Sequence, residues 1–223
     1  MENTDVLYGL VKRYENNQII KPLIQLIPMG IGSAIDTAIG QKWQKMIECR
    51  LDALLDEMNK NKGVIGIDHA HSENYIHCFM KVVQLTVGTR RYEKIRMFAR
   101  LLNSVVTGVG GYETVDEFEE YLSLLEELSY REMEILLLIE EFQETNGVEW
   151  VSDMQNKWKR FTTDIAKDLN LSLGELDMVL MRLNRIGCSE TFLSRKGGFV
   201  VRHCIVTPMF KKLKNCITSS ASK

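Results

Sequence analysis

The chain has 223 residues, 45% of them hydrophobic and 26% charged, which is enough to bury one large core or two small ones. Lys and Arg number 28 against 30 Asp and Glu, so the formal charge is only −2 and composition alone points to an ordinary soluble protein. The five scattered cysteines, Cys49, Cys78, Cys188, Cys204 and Cys216, are odd in number and form no CxxC pair. They argue against a disulfide framework and a cysteine zinc site, and suit a reducing cytosol.

The near-neutral total hides an asymmetry: residues 1–149 carry −9 and residues 150–223 carry +7. A basic half is expected of a nucleic-acid binder, and opposite charges also let two halves dock on each other. The N-terminus lacks the basic-then-apolar pattern of a secretory signal, and no run approaches the ~20 apolar residues that span a bilayer. A cytoplasmic protein is expected.

In chain order, Thr4 to Glu15 predicts a short helix with Val6, Leu7, Leu10, Val11 and Tyr14 on one side. Ile19 to Gly40 is the most apolar stretch, broken by Pro22, Pro28, Gly30, Gly32 and Asp36. It reads as a buried helical segment, or as a membrane-active one that inserts once exposed. Gln41 to Lys60 predicts an amphipathic helix burying Trp43, Ile47, Leu51, Leu54, Leu55 and Met58.

Asp68, His69, His71, His77 and Cys78 are the one cluster of potential metal ligands, but no HExxH motif and no CxxC partner accompanies them. No metal, cofactor or small-molecule substrate is expected. Asp68 or Ser72 is expected to cap a helix over Glu73 to Val87, with Ile76, Phe79, Met80, Val83 and Val87 inside. Arg90 to Thr107 predicts a basic helix and Val115 to Leu128 an acidic one, paired across an antiparallel hairpin. The connector between them, rich in glycine, has no lysine placed for a phosphate. Ser129 and Glu132 form a capping box before the helix Tyr130 to Glu144, which buries Met133, Leu136, Leu137, Ile139 and Phe142. This helix could close the N-terminal bundle, begin a C-terminal domain, or do both.

Trp158, Phe161, Ile165 and Leu169 outline a helix over Ser152 to Asp168. Leu173, Leu176, Val179, Leu180, Leu183 and Ile186 outline the next, over Ser172 to Ile186, which Gly187 should stop. Two β-rich runs, Glu190 to Ser194 and Phe199 to Val206, are joined by Arg195, Lys196, Gly197 and Gly198, a hairpin turn with a basic tip. A short helix over Val206 to Leu213 closes the chain.

The order helix, helix, helix, hairpin, helix resembles the winged-helix family, as do RLNRIGC (Arg182 to Cys188) before the hairpin and VTPMFKKL (Val206 to Leu213) after it. The resemblance covers residues 130–217 and makes Ser172 to Ile186 the recognition helix. Only three prolines and weak strand signals before residue 190 predict a mainly α protein; with the resemblance, the expectation is a helical bundle over residues 1–128, then a small α+β winged-helix-like domain over residues 129–223. Residues before it, with IPMGIGSAIDTAIG and RRYEKIRMFARLLNS, resemble small helical bacterial proteins without an assigned activity. The resemblance implies binding to duplex DNA through Arg182, Asn184, Arg185, Arg195, Lys196 and Arg202, although Glu175 and Asp177 put negative charge in the first turn of the recognition helix. The alternative is a protein-interaction or membrane-responsive module using segment 19–40, its partner another protein or a second copy. No nucleophile with a base, paired carboxylates or phosphate loop is evident, so no catalytic residue and no enzyme activity is expected.

Overall fold

The computed structural model describes residues 5–27, 38–60, 71–107, 114–146, 154–196 and 199–218. Among these the chain is mainly helical, with one two-stranded antiparallel sheet. The elements are α1 (Asp5–Arg13), α2 (Ile20–Leu26), α3 (Ala38–Lys60), α4 (Glu73–Gly88), α5 (Tyr92–Thr107), α6 (Val115–Glu127), α7 (Tyr130–Asn146), α8 (Met154–Asp168), α9 (Leu173–Arg185), β1 (Ser189–Lys196), β2 (Phe199–Val206) and α10 (Pro208–Thr218). The chain divides into two compact units: Met1–Glu126 with Leu213–Lys223, and Glu127–Lys212. α7 therefore belongs to the second unit, and α10 begins in the second and ends in the first.

In the first unit α3 packs on α5, α4 lies against both, and α1 and α2 pack on α3 and α4 respectively. Their contact faces carry Leu51, Leu54, Phe79, Phe98 and Leu102, all buried, each contributing about 1.5–3 kcal/mol of transfer free energy. α2 starts where Asn17 Oδ1 accepts the Ile19 and Ile20 amides, both at 3.0 Å, and Asn17 Nδ2 donates to Asn59 Oδ1 of α3 at 2.9 Å. Pro22 fits because a first-turn residue has no intrahelical use for an N–H. Ile20, Leu23, Ile24 and Ile27 are buried, so this part of the apolar segment serves the core. Its remainder, 28–37, lies outside the described residues, and no described helix is long and apolar enough to cross a membrane.

Several faces differ from the sequence reading. Trp43 is exposed, its ring 5.9 Å from the Arg50 guanidinium. α4 is turned by about one residue: Tyr75, Cys78, Val82 and Thr86 are buried, while Ile76, Met80 and Val87 are only half-buried. Ser72 caps it, accepting the Tyr75 amide at 3.2 Å; Asp68 and His69 lie outside the described residues. Basic α5 is held through α3 as well as α6. Arg100 Nε meets Glu57 Oε1 of α3 at 2.7 Å, and Lys94 Nζ donates to the Glu126 carbonyl at 2.6 Å. Glu57 is almost fully buried; burial pushes its carboxyl up, but the bonds from Lys60 and Arg100 outweigh that and hold it below the ordinary range.

The second unit is built on two tight helix endings. At the end of α8, Asn170 takes φ +52°, and the Leu171 amide returns to the Ala166 carbonyl at 2.7 Å. Ser172 then starts α9 in a capping box with Glu175, a motif that the Ser-x-x-Glu spacing carries in the sequence. At the end of α9, Gly187 takes φ +77°, with the Cys188 amide bonded to the Leu183 carbonyl and the Gly187 amide to the Asn184 carbonyl, both at 3.0 Å. Thr207 Oγ1 donates to the Gly187 carbonyl at 2.7 Å and accepts the Phe210 amide, tying this turn to the start of α10. A side chain at position 187 would be strained by the left-handed backbone and would meet Met209 Cε at 3.0 Å. Gly187→Ala is expected to cost about 1–2 kcal/mol, read as a lowered urea midpoint with unchanged slope.

β1 and β2 pair antiparallel from Ser189 opposite Val206 to Lys196 opposite Phe199. Arg195 and Lys196 are thus strand residues rather than turn residues; Gly197 and Gly198 lie outside the described residues. α7 packs on β2, where Gln143 Oε1 accepts the Val206 amide at 3.1 Å in a buried setting.

Candidate functional site

The second unit presents most of its distinctive chemistry on α8 and α9. Leu176, Leu180 and Leu183 fasten α9 inward, with Val179 half-buried beside them. That stripe turns the opposite side of the helix to solvent, at Gly174, Asp177, Met178, Met181 and Arg185. On a 3.6-residue period these five positions fall within about 100° of one another, on one face. Met178 is 68% and Met181 47% exposed, and Leu173, read from sequence as a core residue, is 55% exposed at the helix start. Next to this face lies an open groove of about 400 Å³ between α8, α9 and β2, lined by Trp158, Thr162, Leu173, Leu176, Leu180 and Cys204, with Gly174 and Asp177 on its α9 side.

The cations expected to read DNA are distributed differently. Arg182 is used within the unit: its Nη1 lies 3.2 Å from Glu132 Oε1 and its Nη2 donates to the Glu127 carbonyl at 2.9 Å. Glu132, with a side chain only 4% exposed, also accepts the Ser129 amide at 2.8 Å, while its own amide donates to Ser129 Oγ at 3.2 Å. The capping box read from sequence is therefore present, and Arg182 completes it. Asn184 Nδ2 donates to Thr191 Oγ1 at 3.2 Å, linking α9 to β1. Arg185 is exposed. Arg195, Lys196 and Arg202 sit on the strands, opposite Val200, Phe199 and Leu193. The structure brings Arg182, Asn184 and Arg185 to the end of α9, but gives the first two internal partners.

Negative charge stays at the other end of α9. The Ser172 amide and hydroxyl hold the Glu175 carboxyl below the ordinary range, and Glu175 and Asp177 are both exposed. Exposed cations instead gather on α8, at Lys157, Lys159, Arg160 and Lys167, positions not singled out from sequence although the charge balance of this region points to them.

His77 Nε2 lies 2.6 Å from Glu119 Oε1 at the surface, and Cys78, about 100° around the helix, is buried with its thiol pushed up to about 11. Burial likewise pushes Cys188 up to about 12, so both thiols stay protonated and are poor nucleophiles. His71 is exposed. Among the described residues no group of three His, Cys, Asp or Glu is placed to hold a metal ion.

Behind the groove, Trp158 meets Phe142 edge-on at 5.5 Å, Phe161 at 5.3 Å and His203 at 6.3 Å between ring centroids. Burial holds the His203 imidazole below its ordinary value. The unfolded chain takes up this proton near pH 6.5, and the folded chain only at lower pH. Below about pH 6.5 the unfolded state thus binds more protons. Stability should be undiminished by His203 above that pH and fall as pH drops through the window between the two values. Urea midpoints at successive pH values should show this fall, and His203→Phe should lessen it.

Compared with protein-family models, with curated proteins and with solved structures, the chain matches none.

Proposed function

We propose that the chain is a non-enzymatic binding protein whose C-terminal unit is a winged-helix-like module that presents the outer face of α9 to a protein. The observation that carries this reading is what α9 exposes. A helix entering a DNA groove needs donors and cations on its outer face. α9 exposes Met178 and Met181 at the centre of that face with Arg185 as its one cation, leaves Leu173 exposed at the mouth of the groove, keeps Glu175 and Asp177 toward its N-terminal end, and uses Arg182 and Asn184 internally. Single exposed apolar residues are normal, but two adjoining methionines beside an apolar groove make an adaptable contact surface. The element order and the hairpin support the winged-helix reading.

A second reading, binding to duplex DNA, is favoured by the exposed cations of α8 together with Arg185 and the basic strand residues. Two experiments separate the readings. A photo-crosslinking residue at position 178 is expected to give protein adducts, and one at position 159 is not. Gel shifts on duplex DNA at two salt concentrations are expected to show no strong, salt-dependent complex. The protein-binding reading fails if DNA is bound with a steep salt dependence that reversal of Arg195 and Lys196 abolishes, while Met178→Glu with Met181→Glu changes nothing.

A further inference from the structure

The outer face of α9 is self-complementary. Along one stripe it runs Gly174, Asp177, Met178, Met181, Arg185, with the carboxylate toward its N-terminal end, the guanidinium at its C-terminal end and two methionines between. Laid antiparallel on a copy of itself about a two-fold axis between Met178 and Met181, the helix sets each methionine against the other methionine of its mate. The same axis places Arg185 opposite the partner helix's residue 174. There glycine offers open space, with no atom within 4 Å of where a side chain would begin. Asp177 of the mate is then three residues away, about 4.5 Å along the helix, within reach of an arginine side chain. A parallel arrangement would instead set Asp177 against Asp177 and Arg185 against Arg185.

From this we infer that the partner of the α9 face is a second copy of the chain, docked through antiparallel α9 helices with Met178 and Met181 at the centre and Arg185–Asp177 pairs at both ends. The inference rests on the reading of α9 as a protein-binding surface and specifies its occupant. A two-fold contact of this kind uses the same patch on both copies, so opposite charges at the two ends of one stripe pair twice. The stripe is only about 18 Å long. The contact is therefore smaller than a standard stable interface, and a weak, concentration-dependent dimer is expected rather than an obligate one.

Sedimentation velocity of the full-length chain over a concentration series tests this, with circular dichroism showing that each variant remains folded. The wild-type chain should pass from monomer to dimer, and Met181→Glu should leave it monomeric. Arg185→Asp alone and Asp177→Arg alone should each weaken the dimer about tenfold or more. The double exchange Asp177→Arg with Arg185→Asp should restore it to within about threefold, since it rebuilds the pair with the signs reversed. A dimer indifferent to Met181→Glu, or single reversals that the double exchange does not repair, overturns this pairing. A wild-type chain that stays monomeric to about 100 μM overturns the self-partner. In that case a protein adduct at position 178 leaves the α9 face as a surface for a different protein, and the absence of any adduct removes both readings.

Discussion

Replacing Trp158 with alanine is expected to cost the second unit about 3–4 kcal/mol. The indole is mostly buried, and it supports four elements at once. It meets Phe142 of α7 and Phe161 on its own helix, packs its edge against His203 of β2, and lines the groove beside α9. Truncation removes the transfer free energy of a large ring and leaves a void that the surrounding elements can close only in part. A unit of this size is stable by roughly 5–10 kcal/mol, so the loss should bring it close to unfolding near physiological temperature. Thermal melts followed by circular dichroism should show an early transition for Trp158→Ala. Trp158→Phe, which keeps a ring in the cluster, should lose about half as much. Equal melting of wild type and Trp158→Ala would remove this cluster as the centre of the unit.

Arg182→Ala is expected to cost about 2–3 kcal/mol, an unusual result for a residue whose side chain is 44% exposed. The cost arises at its partner. Glu132 remains buried after the substitution, still accepting the Ser129 amide but without the cation facing its other oxygen. Removing one partner of a buried pair strands a desolvated charge, and here the exposure of Arg182 reduces that penalty without abolishing it. The Glu127 carbonyl loses its donor in the same step. Arg182→Ala with Glu132→Gln should recover part of the loss, because the stranded charge is gone; urea denaturation of the two single variants and the double gives the coupling directly. Arg185→Ala, on the exposed side of the same helix end, should change stability by less than about 0.5 kcal/mol. A contrast between these neighbours would show that Arg182 serves the fold, whichever ligand α9 takes.

Most of the helix boundaries were legible because they are local. Ser129 and Glu132, Ser72 before α4 and Gly187 after α9 act on backbone groups within a few residues of themselves, and the structure contains the bonds that those residue types imply. The hairpin was legible for the same reason, although pairing extends to Lys196 and Phe199 and so takes Arg195 and Lys196 out of the turn. Burial was less legible. In α7, residues 135–139 read Ile-Leu-Leu-Leu-Ile, apolar on every face, so periodicity cannot choose among them; contact with neighbouring elements leaves Leu137 exposed and buries Ile135, Glu140 and Gln143. The candidate site was legible as a helix but not as a surface. Six apolar positions fit one stripe of α9, yet only Leu176, Leu180 and Leu183 are buried, and Leu173 is left outside.

By itself, then, the sequence determined a mainly helical chain with one hairpin set between its last two helices, because cap, turn and period signals depend on residues close along the chain. The tertiary structure alone decided the partners of the polar groups. Arg182 meets Glu132 fifty residues away, and Glu57 takes Arg100 from another helix. It also decided that α9 turns Met178 and Met181 outward beside Arg185 while Arg182 and Asn184 take internal partners. Those outcomes depend on which helices pack together and at what rotation, and contacts between residues distant along the chain leave no periodic trace within any one segment.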